Sequence, residues 1–88
     1  MVYQNYMEKV VVDNLNSVLN QFPNMCHCEL CREDVVAWAL NRLAPKYVVT
    51  ELGLSYTKLN QLAVQAQADV TVKLTQAVQI VAANPRHT

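Results

Sequence analysis

The chain has 88 residues, 52% of them apolar, with seven basic and seven acidic side chains and a formal net charge of zero. That length holds one small domain, residues 1–88, and the charge balance excludes a broad electrostatic grip on a nucleic-acid duplex, which relies on clustered Lys and Arg. One Gly and three Pro against so high an apolar share exclude disorder, and no apolar run reaches the about 18 residues that a membrane-spanning helix requires.

The first element opens on Asn5, Tyr6, Met7 and Glu8, the order of a capping box, in which an N-cap side chain and an acid three residues on satisfy helix N–H groups reciprocally. Met7, Val10, Val11, Leu15, Val18, Leu19 and Phe22 then recur at helical spacing, which predicts a helix over 4–22 that Pro23 stops. The β-branched run Val10, Val11 and Val12 lowers the local propensity by less than this pattern contributes.

Next comes a C-x-C-x-x-C turn, Cys26, His27, Cys28, Glu29, Leu30 and Cys31, which holds all three cysteines of the chain. Thiolates are soft ligands that suit Zn²⁺, and a tetrahedral site takes four donors from Cys, His or carboxylate. A tight turn can aim three sulfurs at one point, and a helix starting at its exit lowers their pKa values with its positive end. Zinc on Cys26, Cys28 and Cys31 is therefore expected, with Cu(I) next and iron–sulfur clusters behind, since those draw four cysteines from other spacings. The alternative is three small thiols without a metal. His87, Glu29, His27, a water or a residue of a second chain could fill the fourth position. His87 comes first, because the end of a long last helix can fold back over the turn. His27 stands between two ligands, where its ring would point away from a metal held by both neighbours.

An odd, clustered set of cysteines without a secretion signal predicts metal binding in a reducing compartment, the cytoplasm, rather than disulfides. A structural zinc is expected rather than a catalytic one. The chain has no Ser-His-Asp order, phosphate-cradling glycine loop or H-E-x-x-H helix, and no enzyme activity is expected.

After the turn, Glu33 and Asp34 place two acids where the first turn of a helix favours negative charge. Val35, Val36, Ala39, Leu40 and Leu43 form its buried stripe with Trp38 to one side, and Pro45 ends it. Residues 46–50 are β-rich, either an extended connection or a strand that pairs with its own copy in another subunit. Gly53 suits a turn, and Ser55 or Thr57 can cap a last helix over 58–83, closed by Asn84 and Pro85.

Along that helix Leu59, Leu62, Ala63, Ala66, Val70, Leu74, Ala77, Val78 and Val81 share one face, while Val64, Ala68, Val72 and Ile80 lie off it. Two apolar faces ask for two partners. Such a helix is about 39 Å long, too long for one compact subunit with a radius of gyration of about 12 Å to cover. The expected fold is therefore mainly helical, with a long C-terminal helix and a homodimer that buries the second face. A break near Val70, Thr71 and Val72, giving two shorter helices, is the alternative.

A second constellation runs from Leu40 to Val48 through Asn41, Arg42, Leu43, Ala44, Pro45, Lys46 and Tyr47, with Arg86 near the far end. Arg offers planar bidentate donors to a phosphate or a guanine edge, Tyr a face for base stacking, and Asn a pair of groups for a base edge. The same residues also describe ordinary helix termination, with Arg42 neutralising the C-terminal dipole and Tyr47 packing on Phe22 or Trp38. On composition alone that plainer role comes first.

Taken together, Asn5 with Glu8, Cys26, Cys28 and Cys31, Asp34 with Val35, Leu40-Asn41-Arg42 with Pro45 and Tyr47-Val48, Tyr56-Thr57 and Pro85-Arg86 resemble the late competence development protein ComFB family over nearly the whole chain. The resemblance implies a small, dimeric, mainly helical protein with zinc on the three cysteines. Some relatives close the site with a cysteine shortly after the P-R pair, where this chain has His87 and Thr88. It also implies binding of the second messenger cyclic di-GMP, as in the similar cyanobacterial CdgR proteins, with Asn41, Arg42, Tyr47 and Arg86 as candidate contacts. The function so implied is a non-enzymatic receptor acting through a downstream protein. The alternative is a zinc-stabilised adaptor in competence or motility regulation without a nucleotide.

Overall fold

The computed structural model describes residues 3–49 and 56–84, and of residues 56–60 the backbone alone. Its elements are β1 (Tyr3–Asn5), α1 (Tyr6–Leu19), α2 (Glu29–Leu40), β2 (Tyr47–Val49) and α3 (Tyr56–Ala83). The protein is mainly helical, as expected.

α1 begins at Tyr6, directly after the Asn5 of the capping pattern and two residues later than the helix expected over 4–22. Asn5 is its N-cap, in extended conformation, and its side-chain oxygen accepts the Met7 N–H at 3.1 Å. The same oxygen accepts the Lys46 N–H at 2.8 Å, and Tyr6 N donates to the Lys46 carbonyl at 2.6 Å. One asparagine thus fastens the start of α1 to the chain entering β2. The residues before it become a strand: β1 pairs antiparallel with β2 of the same chain, Tyr3 opposite Val49, Gln4 opposite Val48 and Asn5 opposite Tyr47. Of the two alternatives for residues 46–50, residues 47–49 thus form a strand rather than a bare connection, and its partner here is β1 of the same chain. α1 ends at Leu19, earlier than Pro23, and Gln21 and Phe22 then donate to the Val18 and Leu19 carbonyls in tight turns that use its last acceptors.

α2 starts at Glu29 rather than after Cys31, so Glu29 is the acid in its first turn. It ends at Leu40, five residues before Pro45. α3 runs without interruption through Val70, Thr71 and Val72, which removes the alternative of two shorter helices. Its 28 residues, at 1.5 Å each, account for about 42 Å and match the 43 Å long axis of the molecule. Gly53 and Ser55, and the side chain of Thr57, lie outside the described residues.

α3 packs against both α1 and α2. The core comprises Met7, Val10, Val11, Leu15, Val18 and Leu19 of α1, Cys31, Val35 and Ala39 of α2, and Val70, Leu74, Ala77, Val78 and Val81 of α3, with Tyr6 and Val48 at its edge. Val36, Leu40, Leu43 and Trp38 are partly buried against it, so the α2 stripe is narrower than its sequence pattern. On α3 the second apolar face stands exposed, with Val64 71%, Val72 52% and Ile80 51% accessible. Among the described residues no helix is long and apolar enough to cross a membrane.

Candidate metal centre and polar corner

The end of α1 and the start of α2 lie side by side, and the nine residues between them, 20–28, must turn back sharply. Cys28 forms the N-cap of α2: its sulfur accepts the Cys31 N–H at 3.5 Å, the role that an Asn or Ser side chain usually fills. This one contact explains both the early start of α2 and the convergence of the cysteines. It leaves Cys31 in the first helical turn, facing the core at 1% exposure, with Cys28 half-buried above it and Cys26 exposed. The three Sγ atoms lie within 4.8 Å of one another. Tetrahedral Zn–S bonds of about 2.3 Å place sulfurs about 3.8 Å apart, so a contraction of about 1 Å or less would close the three around one ion.

The protonation of the turn is uneven. The Cys31 N–H holds the Cys28 thiol below the ordinary thiol value, outweighing the opposite effect of burial, and Cys26 and Cys31 assist. Burial pushes the Cys31 thiol up to about 12, and the neighbouring sulfurs of Cys28 and Cys26 add to that. A cation bound here would displace the Cys31 proton, so metal uptake at neutral pH is coupled to proton release.

His27 and Glu29 do not join the cluster. The His27 Nε2 sits 3.0 Å from the Phe22 carbonyl, which makes it a donor and turns that nitrogen away from a metal. His87 and Arg86 lie outside the described residues. The end of α3 nevertheless reaches the turn: Ala82 lines a cleft of about 440 Å³ with Phe22, Pro23, Met25 and Cys26.

The polar corner begins where α2 stops. Asn41 is the α2 C-cap, and Arg42 N donates to the Ala39 carbonyl at 3.0 Å. The Arg42 guanidinium lies over the Trp38 ring, 3.8 Å from its centroid, and donates to the Trp38 carbonyl at 3.1 Å. That is the helix-terminating role that the sequence leaves open beside a ligand role. It occupies one of five guanidinium donors, and Arg42 is exposed. Tyr47 packs on neither Phe22 nor Trp38. It is 65% exposed, with its ring edge-on to Tyr3 at 6.2 Å. Beneath this corner, Leu43, Ala44, Lys46, Met7, Leu62 and Asp69 take part in lining a cavity of about 200 Å³.

Two contacts that shape the corner lie outside the sequence-predicted set. Trp38, which seats Arg42, is marked in the sequence by its i, i+4 spacing on the helix, whereas the contact of Asn5 with Lys46 spans 41 residues and has no local signal.

The family described as "Late competence development protein ComFB" matches residues 4–85. Competence protein ComFB of Bacillus subtilis (strain 168) is 30% identical over 81 residues, which cover 92% of this chain and 83% of that protein. Among solved structures, that of the late competence protein ComFB from Bacillus subtilis superposes with a TM-score of 0.77 at 29% identity. The match covers 98% of this chain and 94% of the other.

Proposed function

The chain belongs to the ComFB family, and from that premise we propose that it is a non-enzymatic receptor, a zinc-held helical module that binds cyclic di-GMP and passes its state to a protein partner. The observation that supports the nucleotide part is the exposed Arg42 guanidinium fixed over Trp38. A side chain held this way has lost part of its freedom before a ligand arrives, which lowers the entropy cost of binding. Its plane suits a phosphate or the O6/N7 edge of a guanine. Tyr47 offers a ring for stacking, Asn41 a base-edge partner, and Arg86 a second cation for the phosphates.

Zinc is the metal assigned to Cys26, Cys28 and Cys31, where it would tie the exit of α1 to the start of α2. His87 is the proposed fourth donor. It lies five positions beyond Ala82, which shares a cleft with Cys26, and the three positions past Asn84 span up to about 11 Å when extended. A homodimer would cover Val64, Val72 and Ile80 on α3. The cytoplasm is the proposed setting, since thiols stay reduced there, and competence the process, after the name of the Bacillus subtilis relative.

Calorimetric titration of the zinc-loaded protein with cyclic di-GMP, with GTP and cyclic di-AMP as controls, tests this. Selective, saturable heat is expected, weakened at least about tenfold by Arg42→Ala and by Arg86→Ala, as loss of a bidentate contact implies. Silence at high ligand concentration would favour the second reading, an adaptor that acts by protein contacts alone. The feature that speaks for it is the groove of about 450 Å³ between α1 and α2, with Val12, Val36 and Leu40 among its lining.

A further inference from the structure

The three sulfurs of the turn are close in position and far apart in accessibility. Cys26 is exposed, Cys28 half-buried and Cys31 almost sealed in the core, yet all three Sγ atoms fall within 4.8 Å. Every cysteine of the chain is in this cluster, so oxidation of the protein's thiols begins and ends here. A disulfide bond is about 2.05 Å long, which leaves less than about 3 Å for side-chain rotation to close. Cα atoms two residues apart lie at most about 7 Å from each other, and that reach overlaps the range a disulfide tolerates.

We propose that the turn is an oxidant-operated latch on its metal: a hydroperoxide links Cys26 to Cys28, consumes two of the three sulfur donors and releases the ion. The release rests on the zinc assignment above; the disulfide rests on the cysteines alone. In the first step the Cys26 thiolate attacks one peroxide oxygen, the O–O bond breaks, hydroxide leaves and Cys26 becomes a sulfenic acid. In the second, the Cys28 thiolate attacks that sulfur, the S–S bond forms, the S–O bond breaks and a second hydroxide leaves. Two thiolates and one hydrogen peroxide thus give one disulfide and two hydroxides, and the two electrons lost by sulfur are those that cleave the O–O bond.

Cys31 stays out of the exchange because a peroxide in solvent does not meet its sulfur. The link also acts on the fold. The Cys28 sulfur caps α2 by accepting the Cys31 N–H, and drawing it towards Cys26 removes that acceptor from the first helical turn. Arg32, one residue on, donates to Asn16 of α1 at 2.7 Å, so the disturbance falls where the two helices are joined.

The test uses the full chain, reduced, in metal-free and zinc-loaded portions. Each is treated with hydrogen peroxide, unfolded, alkylated with N-ethylmaleimide, weighed and peptide-mapped. Three alkylated cysteines should fall to one, with Cys26 and Cys28 in a single linked peptide and Cys31 alkylated. In the zinc-loaded portion a chromogenic chelator should record one ion released for every two thiols lost. Cys26→Ser, treated the same way without metal, should keep both of its thiols alkylatable. Three alkylated thiols after treatment, a Cys28–Cys31 link, or links between molecules in the metal-free portion would overturn the proposal whatever zinc does. A protein that never loads zinc, yet forms the Cys26–Cys28 link, overturns the zinc assignment and with it the release step.

Discussion

The cysteine turn and the polar corner sit at opposite ends of α2 and are built in opposite ways. At the turn, three donors within six residues converge because α1 stops at Leu19 and α2 restarts on the Cys28 cap. At the corner, Arg42 is seated on Trp38 by helical spacing, but Tyr47 is placed by a strand pair that reaches back to Tyr3 and by the hold of Asn5 on Lys46. The donors of the turn lie close together before any ion arrives, whereas the side chains of the corner stand exposed. A site made by local chain geometry is largely formed in advance. One made from surface side chains at the end of a helix is completed by what binds to it.

The largest expected effect comes from the frame that holds both ends of α2. Leu74 is fully buried, and Leu74→Ala should cost about 2–5 kcal/mol of stability in urea. Val72→Ala, on the exposed face of the same helix, should change it by less than about 0.5 kcal/mol when measured at protein concentrations low enough to keep the chain monomeric. Similar losses from the two would contradict the division of α3 into a covered and an open face.

Metal removal bears on the turn alone. Chelation of the zinc-loaded protein should lower Tm by about 10 °C, and Cys31→Ser should abolish the difference between chelated and zinc-supplemented samples. A Tm indifferent to chelator would reduce the turn to three thiols and erase its contrast with the corner.

Asn5→Ala leaves the Met7 and Lys46 N–H groups without their acceptor and should cost about 1–2 kcal/mol. Asn5→Asp retains an acceptor at the same place and should recover most of that loss. Were both variants equally destabilised, the double contact would not be what anchors the corner.

The smallest structural effect belongs to Arg42→Lys, which keeps the charge but loses the planar seat over Trp38. Stability should stay within about 1 kcal/mol of the parent, while affinity for cyclic di-GMP falls at least about tenfold. Unchanged affinity would make Arg42 a helix terminator and nothing more.

What the sequence made legible follows from the range of the interactions. The α1 cap at Asn5, the buried stripe of α1, the stripe of α3 from Val70 to Val81 and the unbroken length of the last helix all rest on contacts within a few residues, and all appear in the structure, whereas Leu62, Ala63 and Ala66 are only partly buried and the side chain of Leu59 lies outside the described residues. The clustering of Cys26, Cys28 and Cys31 was equally plain, because the chain has no length in which to separate them. Strand β1 was hidden, since Tyr3 to Asn5 become extended only by pairing with residues more than 40 positions away. The start of α2 was missed for a different reason. A cysteine sulfur is a weak acceptor, and nothing in the side-chain pattern marks Cys28 as a cap until its neighbours are in place.

Titration of the reduced, metal-free protein with Co²⁺ tests most directly whether the turn is a preformed three-sulfur site. Sulfur-to-metal charge-transfer absorption should rise linearly and saturate at one ion per chain, with ligand-field bands of four-coordinate cobalt. In Cys26→Ser the charge-transfer intensity per bound ion should drop by about a third, one thiolate of three having gone. No charge-transfer absorption in excess Co²⁺, or an intensity unaffected by losing Cys26, would contradict a metal held by these three sulfurs.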